Sequence, residues 1–127
     1  MSEKYYLTPV ELEIMEILWK LREGTVHEVL EGLPAKRKLA YTSVSTMLRI
    51  LQQKKSVGIK KSGRQHIYFP LLNKENYAKQ SLNKIVQNVF AGDSAQLVSF
   101  LVDQNPLSFE EINTIQKMLD AKKKELA

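Results

Sequence analysis

The chain has 127 residues, enough for one hydrophobic core, and it contains no cysteine. A chain of this length buries roughly two-thirds of its unfolded surface, so it needs no disulfide bond or structural metal to fold. The absence of cysteine excludes a disulfide framework, a thiol nucleophile and a zinc finger, and we predict no metal or other cofactor. No apolar run approaches the roughly 18 residues that cross a bilayer, and no signal peptide is recognisable, so we expect a cytoplasmic protein.

The positive charge is concentrated in one segment. The chain has a formal net charge of +5, yet residues 32–74 contain ten lysines and arginines and no aspartate or glutamate. We call these ten residues the basic band: Lys36, Arg37, Lys38, Arg49, Lys54, Lys55, Lys60, Lys61, Arg64 and Lys74. Phosphates attract such a band and carboxylates would repel them, so it indicates a nucleic-acid surface. The alternative is a solvated basic surface without a partner.

Two capping boxes begin the first two predicted helices. Thr8 and Glu11 have the spacing of the first box, and apolar residues then recur at helical spacing. We expect this helix to end at Gly24. Thr25 and Glu28 repeat the pattern and begin a second, shorter helix.

A third helix and a hairpin are predicted next. The helix runs from about Tyr41 to about Lys54, with an apolar stripe of Val44, Met47, Leu48 and Leu51. Two β-rich runs, residues 56–59 and 65–69, surround a turn that contains glycine, which predicts a β-hairpin. We expect Pro70 to end the second strand.

The remainder of the chain is helical in pattern. One helix runs from about Lys74 to near Gly92, a short helix covers residues 93–103, and Ser108 with Glu111 begins a last one. Acidic residues return near residues 71–76, so we place a boundary there.

Three helices followed by a basic hairpin is the order of a winged helix-turn-helix. We therefore predict a mainly α fold with a small β-hairpin wing: a winged-helix DNA-binding domain at 1–73 and a helical dimerisation region at 74–127. The third helix is the predicted recognition helix. We find no nucleophile beside a base, no phosphate-binding glycine loop and no paired carboxylates, so we predict no catalytic residue and no enzyme.

The predicted recognition helix presents hydrogen-bonding side chains and no acid opposite its apolar stripe. Such side chains bind base edges or phosphates, whereas an ordinary solvated face usually carries Glu–Lys pairs. The candidate DNA-binding residues on this helix are Tyr41, Thr42, Ser43, Ser45, Thr46, Arg49 and Gln53. The candidates on the wing are Lys60, Lys61 and Arg64. A hairpin tip kept solvated by its lysines is the alternative there.

The region 74–127 has amphipathic faces but too few apolar positions for a core of its own. Pairing with a second copy would bury them, since most oligomers are symmetric dimers. The candidate dimerisation residues are Val89, Phe90, Leu97, Val98, Leu101, Ile112, Ile115 and Leu119. A dimer would place two recognition helices roughly 34 Å apart, or a multiple of it, over a palindromic site. The alternative is packing against the chain's own winged helix.

Four groups of residues together resemble a known family. They are Leu7, Thr8, Pro9 and Glu11 with residues 14–19; Tyr41, Thr42, Ser43, Val44, Met47 and Leu48; Gly63, Arg64, Tyr68, Phe69 and Pro70; and Phe90, Ala91, Gly92, Asp93, Leu97 and Val98. Their order and spacing resemble the penicillinase- and methicillin-resistance repressors, a family that includes copper-responsive members. The resemblance implies a homodimeric repressor that binds inverted repeats in promoters. It also implies DNA contacts at Thr42, Ser43 and Ser45, with Thr46 and Arg49 further along the same face.

Regulation is where the chain departs from the family pattern. Copper-sensing members carry a C-terminal cysteine cluster, and this chain has no cysteine. In antibiotic-sensing members a membrane-bound sensor metalloprotease triggers cleavage of an Asn–Phe bond in the dimerisation region. The matching stretch here is residues 98–101 without asparagine, which leaves the bonds Ser99–Phe100 and Phe100–Leu101 as candidates.

The interpretation we adopt is a dimeric winged-helix transcriptional repressor. Two other classes remain open at this point. One is a winged-helix protein-interaction module whose basic band binds an acidic partner. The other is a ligand-responsive regulator with a small-molecule pocket between the domains of a dimer.

Overall fold

The computed structural model describes residues 6–104 and 106–127. Its elements in chain order are α1 (Pro9–Leu21), α2 (Val26–Gly32), a 3₁₀ turn (Ala35–Arg37), α3 (Tyr41–Gln53), β1 (Val57–Ser62), β2 (Gln65–Pro70), α4 (Lys74–Asn88), α5 (Ser94–Gln104) and α6 (Phe109–Leu126). The predicted class, mainly helical with one β-hairpin, is confirmed. The described chain forms two compact units, residues 6–82 and 83–127, which divide within α4. None of the described helices combines the length and apolar character needed to cross a membrane.

The capping box predicted for α1 is present. The Thr8 hydroxyl accepts the N–H of Glu11 at 3.2 Å, and the Glu11 carboxylate accepts the N–H of Thr8 at 2.9 Å. The helix ends earlier than predicted, because Arg22 takes the left-handed position after it with φ 75°. Gly24 instead exchanges two backbone hydrogen bonds with Tyr68, at 2.9 and 2.8 Å. Gly24 therefore adds a one-residue bridge beside β2 rather than a helix end.

The core of the first unit lies between the first three helices and the hairpin. The apolar stripe predicted for α3 is confirmed: Val44, Leu48 and Leu51 are fully buried, and Met47 packs against them. On α1 the buried side chains are Glu11, Ile14, Met15 and Leu18. This packing fixes which face of α3 remains outside, and that face is the one predicted to bind DNA.

The first strand of the hairpin extends further towards the turn than predicted, whereas the second begins at Gln65 as predicted. Their register ends with Ser62 opposite Gln65, so the turn contains only Gly63 and Arg64. Gly63 has φ 64°, which suits the first central position of a type II′ turn. Lys60 and Lys61 consequently lie within β1 rather than in the turn. β2 ends at Pro70, as predicted.

The first turns of α4 belong to the first unit. The indole N–H of Trp19 donates to the carbonyl of Leu72 at 2.8 Å, and the Trp19 and Tyr77 rings lie 6.4 Å apart. The Tyr77 hydroxyl accepts the N–H of Leu7 at 3.3 Å. These contacts explain why the compact units divide after residue 82 rather than where acidic residues return to the sequence.

The second unit contains the end of α4 and two further helices. Asp93 caps α5 by accepting the N–H of Gln96, and Ser108 with Glu111 forms the capping box predicted for α6. Asn105, one half of the predicted helix break, lies outside the described residues. Among the described residues of this unit, Val86 is the one buried apolar side chain.

Candidate nucleic-acid interface

The outer face of α3 carries the predicted DNA-binding side chains. Those exposed to solvent are Tyr41, Thr42, Ser43, Thr46, Arg49 and Gln53, and Ser45 is half-buried. The apolar stripe packs into the core against α2 and β1, which holds this face outwards. No side chain caps the helix at Ala40. The first N–H groups and the positive end of the helix dipole are therefore free of a side-chain acceptor and favour phosphate.

Ile50 is a candidate that sequence reasoning did not identify. It lies four residues after Thr46, at the edge of the same face, and its side chain is 40% exposed. An apolar group in a major groove contacts the thymine methyl. Its position between the apolar stripe and the polar face in the helical repeat was the signal that could have found it.

The wing presents cations on both sides of its tip. Lys61, in β1 opposite His66, is exposed, and so is Arg64 in the turn. Lys60 is also exposed, but its ammonium lies 2.8 Å from Glu23 Oε1. The three predicted wing residues therefore lie near one another on the hairpin, and one of them already has an acidic partner.

Three members of the basic band form ion pairs with acids on α1 or in the loop that follows it. Arg37 pairs with Glu13, Lys54 pairs with Glu11 at 2.9 Å, and Lys60 pairs with Glu23. Residues 32–74 contain no acid, but the fold places glutamates from earlier in the chain beside three of their cations. For the other seven cations the described part of the chain shows no ion pair: Lys36, Lys38, Arg49, Lys55, Lys61, Arg64 and Lys74.

The pair between Glu11 and Lys54 connects the start of α1 to the end of α3. Glu11 is 4% exposed, and both of its carboxylate oxygens lie 2.9 Å from the Lys54 ammonium. Burial alone would raise the pKa of Glu11, but the N–H of Thr8 and the Lys54 ammonium outweigh burial and lower this pKa below its usual value. A charged Glu11 therefore helps to hold α3 in place.

The second unit carries the predicted dimerisation residues on its surface. Exposed are Val89, Val98, Leu101, Ile112, Ile115 and Leu119, whereas Phe90 and Leu97 are half-buried. The Phe90 ring meets the Phe100 ring edge-on at 5.3 Å between centroids. The candidate cleavage residues, Ser99, Phe100 and Leu101, all lie within α5 and are exposed. No group of three or more histidine, aspartate or glutamate side chains suited to a metal occurs within the described ranges.

The sequence of this chain is similar to those of known proteins over most of its length. The family model described as Penicillinase repressor matches residues 7–121. A penicillinase repressor from Bacillus licheniformis is 26% identical over 117 residues, which is 92% of this chain and 91% of that protein. The transcriptional regulator BlaI of Mycobacterium tuberculosis (strain CDC 1551 / Oshkosh) is 39% identical over 72 residues, 56% of this chain and 52% of that one.

A solved structure shows the same fold for the first part of the chain. The solution structure of the DNA binding domain of the repressor BlaI matches with a TM-score of 0.52 and 27% identity, and it covers 61% of this chain and 94% of its own. The winged-helix prediction and the resemblance are confirmed. The family consists of transcriptional repressors, so the prediction that the protein is not an enzyme is confirmed as well. Because the family model spans most of its length, the chain belongs to the penicillinase repressor family.

Proposed function

We propose that the protein represses transcription as a homodimer bound to an inverted-repeat operator. The observation that carries this proposal is the outer face of α3, which is exposed, free of acids and rich in hydroxyl and amide groups. Such a face repels no phosphate and can donate to or accept from base edges. A repressor acts where promoters are, so we assign it to the cytoplasm.

The interface divides into residues that read bases and residues that bind phosphate. Thr42, Ser43, Ser45, Thr46 and Arg49 lie on α3 and are assigned to sequence reading, with Tyr41 and Gln53 at the two ends of this face. Lys61 and Arg64 lie on the wing and are assigned to the phosphate backbone. Phosphate contacts dominate affinity and make it salt-dependent, whereas base contacts set specificity.

The apolar surface of the second unit supports dimerisation. Ile112, Ile115 and Leu119 recur at helical spacing along one face of α6 and are 47%, 37% and 56% exposed in the single chain. Contiguous exposed apolar surface is rare on monomeric proteins and marks an interaction site. A two-fold dimer buries equivalent surfaces on both copies and matches the symmetry of an inverted repeat.

Selection from a random DNA library with the purified protein tests this proposal. We expect enrichment of an inverted repeat with half-sites about one helical turn apart, or a multiple of it. Titration of the selected duplex should show that the logarithm of the binding constant falls linearly with the logarithm of salt concentration. Only weak, sequence-blind binding would contradict the proposal and favour a protein-interaction module.

We further propose that a membrane-bound sensor metalloprotease relieves repression by triggering cleavage in α5. The candidate bonds, Ser99–Phe100 and Phe100–Leu101, lie inside this helix, so the helix must open before a protease binds it. None of the α5 side chains is fully buried, so local opening of this helix costs little free energy. Intact-mass measurement on repressor from cells with and without antibiotic tests this. Two fragments whose masses correspond to cleavage at one of these bonds would support the proposal. Uncleaved repressor in cells where repression is fully relieved would contradict it.

A further inference from the structure

Lys60 differs from the other wing cations because an acid holds it in the free protein. Its ammonium lies 2.8 Å from Glu23 Oε1, and the two side chains are 55% and 48% exposed. The other two pairs of the basic band are less exposed, at 34% and 26% for Arg37 and Glu13, and 33% and 6% for Lys54 and Glu11. The Lys60–Glu23 pair is therefore the one that water and an incoming anion reach most easily.

The sheet topology explains how these two residues meet. Gly24 pairs with Tyr68 on β2, and β2 pairs with β1, which contains Lys60. The loop that carries Glu23 is thus bridged to the edge of β2 opposite β1, and the Lys60 side chain spans β2 to reach Glu23. The backbone bonds between Gly24 and Tyr68 hold Glu23 beside the wing.

We propose that Glu23 limits the affinity of the protein for DNA by competing with phosphate for Lys60. This inference rests on the proposed function. A lysine that binds phosphate releases a counterion, and a lysine already paired with a carboxylate makes no such contact until the pair breaks. When the pair does break, the carboxylate is left near the duplex and repels it. Since phosphate is present in every sequence, the competition lowers affinity for all duplexes.

A pair this exposed is weak enough to exchange. Exposed ion pairs gain little in water and are screened by salt, so their partners remain open to a stronger competitor. The phosphate backbone is such a competitor because its charges are closely spaced. Glu23 therefore reduces the contribution of Lys60 without removing it.

Four proteins test the competition: the wild type, Glu23→Gln, Lys60→Met and the double variant. The probe is a random-sequence duplex of about 30 base pairs, roughly three helical turns, titrated at several salt concentrations. We expect Glu23→Gln to bind about five- to tenfold more tightly at ~0.1 M salt, with a salt slope steeper by at most about 0.9. Lys60→Met should cancel both changes in the Glu23→Gln background and should weaken wild-type binding by a smaller factor.

A matched control separates competition for Lys60 from the general loss of one negative charge. Glu16 is an exposed glutamate on α1, and Glu16→Gln changes the net charge by the same amount. We expect less than a twofold gain from it, with an unchanged salt slope. Both surface variants should melt at the wild-type temperature.

The outcomes distinguish this inference from the function on which it rests. The competition is overturned if the wild type binds DNA and Glu23→Gln binds no more tightly, or if Glu16→Gln gains as much affinity as Glu23→Gln. Either result leaves the proposed repressor function standing. An equal effect of Lys60→Met in both backgrounds also overturns the competition. Failure of all four proteins to bind any duplex overturns the proposed function and this inference together.

Discussion

The two compact units differ in how completely they bury their apolar side chains. The first unit closes a core around fully buried residues such as Ile14, Leu18 and Leu48, whereas the second buries only Val86 among its described apolar side chains. Both have well-formed helices with caps, so local signals do not account for the difference. Helix formation by itself gives little stability in water, and most of it comes from packing of the apolar face. The first unit therefore has a core that can support folding alone, and we expect the second to need a partner surface.

The largest effect is expected from Leu48→Ala in the first unit. Leu48 is fully buried on the inner face of α3, so its loss leaves a cavity and should lower the free energy of unfolding by about 2–5 kcal/mol. Chemical denaturation of the isolated region up to residue 82 measures this. The change should not depend on protein concentration. A concentration-dependent change would mean that the first unit also relies on a partner.

Ile112→Asp should act on the second unit by weakening dimerisation, not by leaving a cavity in a core. Ile112 is 47% exposed on α6 in the single chain and is assigned to the dimer interface. A carboxylate buried there without a partner should weaken dimerisation by about 2–3 kcal/mol. Analytical ultracentrifugation measures the dimer, and Ala121→Asp, at an exposed position on the opposite face of the same helix, is the matched control. An unchanged dimer in Ile112→Asp would place this residue outside the interface.

Arg49→Ala tests whether the outer face of α3 contacts bases or phosphates. Arg49 is exposed on α3 and has no ion pair within the described residues. If it makes a bidentate base contact, its loss should cost about 1–3 kcal/mol on the selected operator and much less on random DNA. Titration of both duplexes distinguishes the roles. An equal loss on both would assign Arg49 to phosphate.

The smallest effect is expected from the pH dependence of the Glu11–Lys54 pair. The folded state lowers the pKa of Glu11, so the stabilisation is complete above the pH that equals its pKa in the unfolded chain and is lost as pH falls towards the folded value. Glu11→Gln should therefore show a shallower loss of stability below that pH. Thermal melting from pH 7 down to pH 3 measures it. Parallel curves for both proteins would contradict a stabilising charge at Glu11.

Local patterns predicted most of the elements, and contacts between distant residues account for what they missed. Thr8 with Glu11 and Ser108 with Glu111 were recognisable because a capping box spans four residues. The Lys60–Glu23 pair was not recognisable, since the two residues meet only after Gly24 adds to the sheet. The candidate residues on α3 followed from helical spacing, yet the further candidate Ile50 did not, because an apolar side chain in a helix is first assigned to the core.

The hairpin shows the same limit. Lys60, Lys61 and Ser62 have weak strand preference, so the local sequence predicts that they lie between the strands. In the fold they pair with residues 65–67, and the register with β2 extends the strand to the tip. Pairing between strands is a non-local property, and it outweighs the preference of single residues.

The pair between Glu11 and Lys54 has a consequence for engineering new operator specificity. Residues on the outer face of α3, such as Thr42 and Thr46, make no contribution to the buried stripe and can be exchanged as a set. Lys54 stands just beyond the last residue of that helix, and its partner lies on α1. If the outer-face residues up to Gln53 were replaced by those of another repressor, the Glu11–Lys54 pair would remain. The new side chains would then be presented on a helix held in its native orientation.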